Sequence, residues 1–130
     1  MRHKYSIAQI RDVWINAYLN GEVDWLAYLE APSFFVNRNG VHISKSEEIA
    51  FIEVSRRKFP NKRTNDVKYT EVIDQMRERK NWATVYGSAQ ITRGGEVASQ
   101  FDFFELWVIV ESRWQVVMLC IEDIDQARKI

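Results

Sequence analysis

The chain has 130 residues, 46% of them hydrophobic, which is enough to bury a core without disulfides or metals, so a single domain over residues 1–130 is expected. Eighteen basic and eighteen acidic side chains give a formal net charge of zero. Nothing in the overall charge therefore attracts the protein to nucleic acid or to an anionic membrane, and no partner of either kind is expected.

The N-terminal part predicts two helices before any strand. Ser6 and Gln9 match a capping box, and apolar residues at helical spacing then continue to the stop signal Asn20-Gly21. Residues 22–29 predict a second, shorter helix that ends before Pro32. Polar residues interrupt the first helix, and no apolar run approaches membrane-spanning length. We therefore expect a cytoplasmic protein without a secretory signal or a membrane span.

A short hairpin and a third helix follow. Residues 33–38 and 41–44 flank Asn39-Gly40, a dipeptide that supplies the positive φ values of a type I′ turn. Ser44, with Glu47 three residues later, then caps a helix that runs to about Phe59, before Pro60.

Basic residues cluster at the end of this helix: Arg56, Arg57, Lys58, Lys62 and Arg63. Such a cluster is either a phosphate or nucleic-acid patch or a solvated helix end that the dipole favours. The neutral net charge and the lack of interleaved aromatic residues favour the solvated helix end.

From Asn65 the apolar period changes to two, which is typical of strands. Turns near Lys80-Asn81, at Gly94-Gly95 and at residues 111–113 divide this half into four long strands. A helix-rich first half followed by an antiparallel meander indicates the α+β class.

The last two strands have an unusual pattern. Residues 103–110 and 116–121 are apolar at successive positions, so both faces of the sheet must be covered. The helices can cover only one face. We therefore expect a homodimer that forms through the outer face of the sheet.

The order of these elements resembles the nuclear transport factor 2-like superfamily, in particular its small ketosteroid-isomerase-like and SnoaL-like bacterial members. The segments that carry the resemblance are NGEVDWLAYL, the Asn-Gly hairpin, SKSEEI and FELWVIVESRWQVV. The resemblance implies a cystatin-like cone, in which a curved antiparallel sheet wraps around the N-terminal helices and encloses a cavity. Together with strand alternation, it implies these ligand-binding residues in the cavity: Trp14, Tyr18, Phe35, Asn37, Tyr86, Asp102 and Phe104.

Ketosteroid isomerases use a carboxylate base and two oxyanion donors, a tyrosine and a neutral aspartic acid. The resemblance places the base on Asn37, the tyrosine on Trp14 and the aspartic acid on Asp102. Asn37 cannot accept a proton and Trp14 offers an indole N–H instead of a phenol, so steroid isomerisation is not expected. Asp102 is then either a catalytic carboxyl at the cavity floor or a structural hydrogen-bonding group. Glu105 is expected to face the opposite way, towards the dimer side.

Two classes of function remain open. The first is a binding protein whose cavity takes a small apolar ligand or whose surface engages a protein partner, for example as a toxin-immunity protein. The second is an isomerase, dehydratase or cyclase in which Asp102 is the acid/base or oxyanion donor. The missing base favours the first class. No cofactor and no metal are expected, because His3 and His42 are far apart in sequence and no glycine-rich phosphate loop is present.

Overall fold

The computed structural model describes residues 5–58 and 66–124, without the side chains of Arg56 and Lys58. It contains three helices, α1 (Ile7–Asn20), α2 (Val23–Leu29) and α3 (Lys45–Lys58). Its strands are β1 (Glu30–Arg38), β2 (Val41–Ser44), β3 (Val67–Glu78), β4 (Trp82–Arg93), β5 (Glu96–Val110) and β6 (Arg113–Asp123). The α+β class is confirmed. Lys62 and Arg63 of the basic cluster, and His3, lie outside the described residues.

The helix ends follow from their capping residues. The Ser6 hydroxyl accepts from the Gln9 N–H, and the Gln9 side chain accepts from the Ser6 N–H, so the predicted capping box is present. Gly21 ends α1 in the left-handed conformation at φ 68°. The same box recurs at α3, where Ser44 and Glu47 exchange bonds of 2.9 and 3.2 Å. No described helix is long and apolar enough to cross a membrane.

The six strands form one sheet in the order β2-β1-β6-β5-β4-β3. Neighbours are antiparallel except β1 and β6, which pair in parallel, so the sheet is mixed where the sequence predicted an antiparallel one. The physical reason is that the last strand of the meander docks beside the N-terminal hairpin, whose turn at Asn39 and Gly40 has the predicted positive φ values. Register shifts in β3 and between β5 and β6 mark bulges, which bend a sheet.

The core lies between the concave face of this sheet and the first two helices. On α1 the buried residues are Ile7, Arg11, Trp14 and Ala17, which is one helical stripe. The Trp14 ring packs edge-on against Trp107 at 5.3 Å between centroids and against Phe34 at 6.4 Å. Edge-to-face aromatic packing of this kind fixes how α1 sits on the sheet.

The opposite side of the sheet, which we call the outer sheet face, is also apolar. It carries Phe35, Trp82, Tyr86, Phe104, Leu106 and Met118. Trp82 is 41% exposed and Tyr86 is 39% exposed. An isolated chain thus leaves several large apolar side chains of this face in contact with water.

Candidate functional site

A cavity of about 470 Å³ lies between the concave face of the sheet, α1 and α3. Aromatic rings line it: Trp14, Tyr18, Phe51, Tyr69, Phe101 and Phe103. Aliphatic side chains such as Ile52 and Leu119 contribute most of the remaining wall. The polar groups among the described lining residues are few, and two of them, Glu48 and Glu105, are buried carboxyl groups.

The structure brings only two of the predicted cavity residues to this cavity, Trp14 and Tyr18. The other five predictions are wrong in position, because their side chains lie on the outer sheet face: Phe35, Asn37, Tyr86, Asp102 and Phe104. There Tyr86 stacks on Phe104 at 6.4 Å and Phe35 stacks on His42 at 5.0 Å.

The error has one cause, which is the choice of the β5 face that lies against the cavity. Phe101, Phe103 and Trp107 are buried on the concave face, and Glu105, which shares their alternation, is 2% exposed. Asp102 therefore points outward, where it is exposed. A cavity role for Asp102 is excluded, and Glu105, expected on the dimer side, lines the cavity instead.

Glu105 belongs to a buried ionic network around Arg11. The Arg11 guanidinium donates to both oxygens of Glu105 at 2.7 and 2.8 Å and to both oxygens of Glu71 at 3.0 Å. The Tyr69 hydroxyl donates to Glu71 at 2.7 Å, and the Trp107 indole N–H donates to Glu105 at 2.9 Å. Two bidentate pairs on one guanidinium hold α1, β3 and β5 in a fixed relation.

Glu71 and Tyr69 of this network have shifted pKa values. Burial by itself raises the pKa of Glu71, but hydrogen bonds from Arg11 and Tyr69 outweigh it and hold that pKa below its ordinary value. Burial and the bond to Glu71 raise the pKa of the Tyr69 hydroxyl, which therefore stays protonated. The carboxylates are satisfied by donors of the protein, so this part of the cavity wall is structural.

A second buried acidic pair, Glu30 and Glu48, lacks such partners. Glu30 ends α2 and begins β1 with no exposed surface, and Glu48, in the first turn of α3, is 7% exposed. The Trp14 N–H donates to Oε2 of Glu30 at 3.0 Å. Oε1 of Glu30 and both oxygens of Glu48 receive no hydrogen bond from a described donor. The two carboxyl groups are near enough to shift each other's pKa, so a proton on one of them can be donated to the other.

This pair has a distinct protonation state. Burial, then the hydrogen bond and negative charge of Glu30, raise the pKa of Glu48 to about 9. Burial also raises the pKa of Glu30, although bonds from Glu48 and Trp14 and the charge of Lys45 oppose the rise. At neutral pH Glu48 is thus a neutral acid at the cavity wall.

Charged groups around the pair are engaged elsewhere. The Lys45 ammonium donates to the carbonyls of Ala27 and Glu30 at 2.8 Å each. Arg38, which also lines the cavity, forms an ion pair with Asp123 at 2.9 Å. Desolvation, then the negative charge of Glu48, raise the pKa of Tyr18. Glu48 is consequently a buried polar group of the wall with bonding capacity left for a ligand.

No group of three or more His, Cys, Asp or Glu side chains placed to hold a metal ion occurs within residues 5–58 and 66–124. Neither member of the acidic pair is among the site residues predicted from the sequence. A signal existed for Glu48, since it lies four residues before the cavity residue Ile52 and thus on the same helical face. Glu30 carried no comparable signal, because it directly follows the apolar Leu29 at a helix end.

Comparison with known proteins finds similarity at the level of structure only. No family model matches the sequence, and no curated protein matches it. An NTF2-like protein from Cytophaga hutchinsonii superposes with a TM-score of 0.69 at 15% identity, over 91% of this chain and 95% of that one. A protein with a cystatin-like fold from Nostoc punctiforme gives 0.72 at 11% identity, over 97% of each chain.

A ketosteroid isomerase-like protein from Erwinia carotovora atroseptica gives a TM-score of 0.65 at 14% identity, over 92% of this chain and 94% of that one. These identities are too low to transfer an activity, because one fold of this kind serves many functions. The fold implied by the sequence resemblance is nevertheless confirmed: the chain has the nuclear transport factor 2-like, cystatin-like fold.

Proposed function

We propose that the protein binds a small, largely apolar ligand in the cavity between the sheet, α1 and α3. The observation that carries the proposal is the cavity itself, whose volume of about 470 Å³ falls in the usual range of ligand pockets. Its wall is aromatic and aliphatic with few polar groups, which is the composition that such pockets share. Glu48 supplies the polar contact that orients the ligand, since its oxygens are buried and lack donors.

A neutral fluorophore, prodan, tests this proposal. Its emission should rise on binding and saturate at one molecule per chain. The Leu119→Trp variant fills part of the cavity from β6 and should weaken binding at least ~10-fold, equivalent to about 1.4 kcal/mol. The matched control is Val72→Trp, which adds the same ring at a side chain that is 65% exposed on β3. Equal affinity of both variants would place the probe outside the cavity and contradict the proposal.

We further propose that the binding protein is a homodimer joined through the outer sheet face. The support is the row of large apolar side chains described above, including Leu106 at the centre of β5 between β4 and β6. A contiguous apolar surface of this kind is typical of an interface between subunits.

Leu106→Arg should convert the dimer to a monomer, because it places a charge in the middle of the interface without an acidic partner. Sedimentation velocity at micromolar concentration measures the change. Val13→Arg, at a side chain that is 37% exposed on α1, is the control and should remain dimeric. A wild-type protein that sediments as a monomer would overturn the proposed dimer.

A further inference from the structure

The acidic pair also limits which ligands the cavity can take. Three described lining residues are carboxylic acids, Glu47, Glu48 and Glu105, whereas Arg38 is the basic side chain among them. Arg38 is already bound to Asp123 by two hydrogen bonds at 2.9 and 3.1 Å. An anionic ligand would meet like charge without a free cation to balance it.

Three buried oxygens of the pair accept no hydrogen bond from a described donor. Oε1 and Oε2 of Glu48 and Oε1 of Glu30 receive no bond from a described donor, although both residues are more than nine-tenths buried. Native proteins rarely leave buried polar atoms unsatisfied. A primary ammonium group has N–H donors and no acceptor, so it matches the two free oxygens of Glu48 at the cavity wall.

The adjacent aromatic wall favours the same type of group. Trp14 and Tyr18 of α1 and Phe51 of α3 line the cavity that Glu48 faces. The π-faces of such rings attract cations, with an energy that grows when the cation is desolvated. Aromatic rings combined with carboxylates are a common environment for amine recognition.

We infer that the ligand of this cavity is an apolar amine that binds as its ammonium ion against Glu48, the member of the acidic pair that lines the cavity. The inference rests on the proposed cavity binding and adds the charge class of the ligand. In the empty site Glu48 is protonated at neutral pH. When the ammonium ion enters, the O–H bond of Glu48 breaks, its proton passes to solvent, and Glu48 is a carboxylate in the complex.

The affinity for the amine must therefore depend on pH. One proton is released per amine bound while Glu48 is protonated, so the affinity should rise by about tenfold per pH unit between about pH 6 and pH 8. Other titratable or charged groups near Glu48 are Tyr18 on α1, Glu30 at the start of β1, Arg38 on β1, and Lys45 and Glu47 in the first turn of α3. Arg38 stays charged over this range and Tyr18 stays neutral, since the pKa of each is raised, and Glu47 stays ionised because bonds from Ser44 lower its pKa. His42 of β2 lies on the outer sheet face, stacked on Phe35.

Isothermal titration calorimetry with three ligands of one apolar body tests the inference: 1-adamantanamine, 1-adamantanol and 1-adamantanecarboxylate. At pH 8 the amine should bind at least ~10-fold more tightly than the alcohol, and the carboxylate more weakly than both. Titrations of the amine at pH 7 in buffers of different ionisation enthalpy should report release of about one proton.

Variants test whether the preference for the amine over the alcohol depends on Glu48. Glu48→Gln should reduce the affinity for the amine to that for the alcohol, whereas binding of the alcohol should change less than about threefold. Glu53→Gln is the control, since Glu53 is exposed on the same helix and outside the cavity lining, and it should behave as the wild type.

The outcomes separate the inference from the proposed function. If the alcohol or prodan binds while the amine has no advantage, no pH dependence and no proton release, the inference is overturned and cavity binding stands. If prodan and all three adamantyl compounds fail to bind, both are overturned.

Discussion

Arg11→Met should lower the free energy of unfolding by about 3–5 kcal/mol, the usual cost of removing one partner from a buried ion pair. The reason is that Arg11, which is 2% exposed, supplies four hydrogen bonds to Glu71 and Glu105. Methionine has a similar length but offers no donor, so two desolvated carboxylates remain close together. Urea denaturation followed by tryptophan fluorescence measures the loss.

Two further variants test whether the loss of stability in Arg11→Met comes from its unpaired buried carboxylates. Arg38→Met removes an ion pair whose side chains are 43% and 35% exposed, and it should cost no more than about 1 kcal/mol. Arg11→Met combined with Glu71→Gln and Glu105→Gln should be more stable than Arg11→Met alone, because no carboxylate is left unpaired. A loss below about 1 kcal/mol for Arg11→Met would contradict a structural role of the network.

The sign of the pH dependence gives an independent check of the same network. The pKa of Glu71 is lowered in the folded protein, so its contribution to stability is present above its unfolded pKa and is lost as the pH falls through its folded pKa. Without Arg11, burial favours the protonated form of Glu71, so acidification should stabilise the folded state of Arg11→Met. The difference in stability between wild type and Arg11→Met should therefore shrink from about pH 7 to about pH 4.

Gly87→Ala should be the most destabilising of the single-methyl additions in the sheet, at about 3 kcal/mol. Gly87 of β4 lies opposite Ile73, where β3 has its register shift. A Cβ at this position would lie 2.0 Å from the Val72 carbonyl oxygen. Since this oxygen belongs to the backbone, no side-chain rotation can relieve the overlap, and the two strands must separate.

A second glycine provides the control for Gly87. Gly94, in the turn between β4 and β5, has φ +57° and open space where a Cβ would lie, so Gly94→Asn should stay within about 1 kcal/mol of wild type. Thermal unfolding followed by circular dichroism compares the two variants. If Gly87→Ala melts like Gly94→Asn, the bulge of β3 accommodates a side chain and the steric explanation is wrong.

Local signals predicted the elements well because each signal acts over a few residues. The capping boxes at Ser6 and Ser44 and the Asn39-Gly40 turn satisfy backbone groups within one turn, so their sequence patterns are sufficient. The parallel pairing of β1 with β6 was not predictable in this way, since it joins Phe35 to Met118 over a long separation in sequence. Such a contact depends on the packing of the whole sheet.

The candidate site was harder to predict because β5 is apolar on both faces. With Phe103 and Phe104 adjacent, alternation shows that Asp102 and Glu105 face opposite ways but does not show which one is inside. The partner decides this: Arg11 lies in the buried stripe of α1 and pairs with Glu105. The acidic pair was not predictable from the sequence, because Glu30 and Glu48 are close together only in the folded chain.

A titration of the Glu48 carboxyl by carbon-13 NMR tests most directly whether the cavity presents a protonated acid to its ligand. Protein labelled at the glutamate side-chain carboxyl carbons is followed against pH, and Glu48→Gln assigns the resonance by its absence. The expected midpoint is about 9, and Glu30→Gln should lower it because the second negative charge is removed. A Glu48 midpoint near the ordinary glutamate value of 4.5 would contradict the protonated acid at the cavity wall and, with it, the release of a proton when the amine binds.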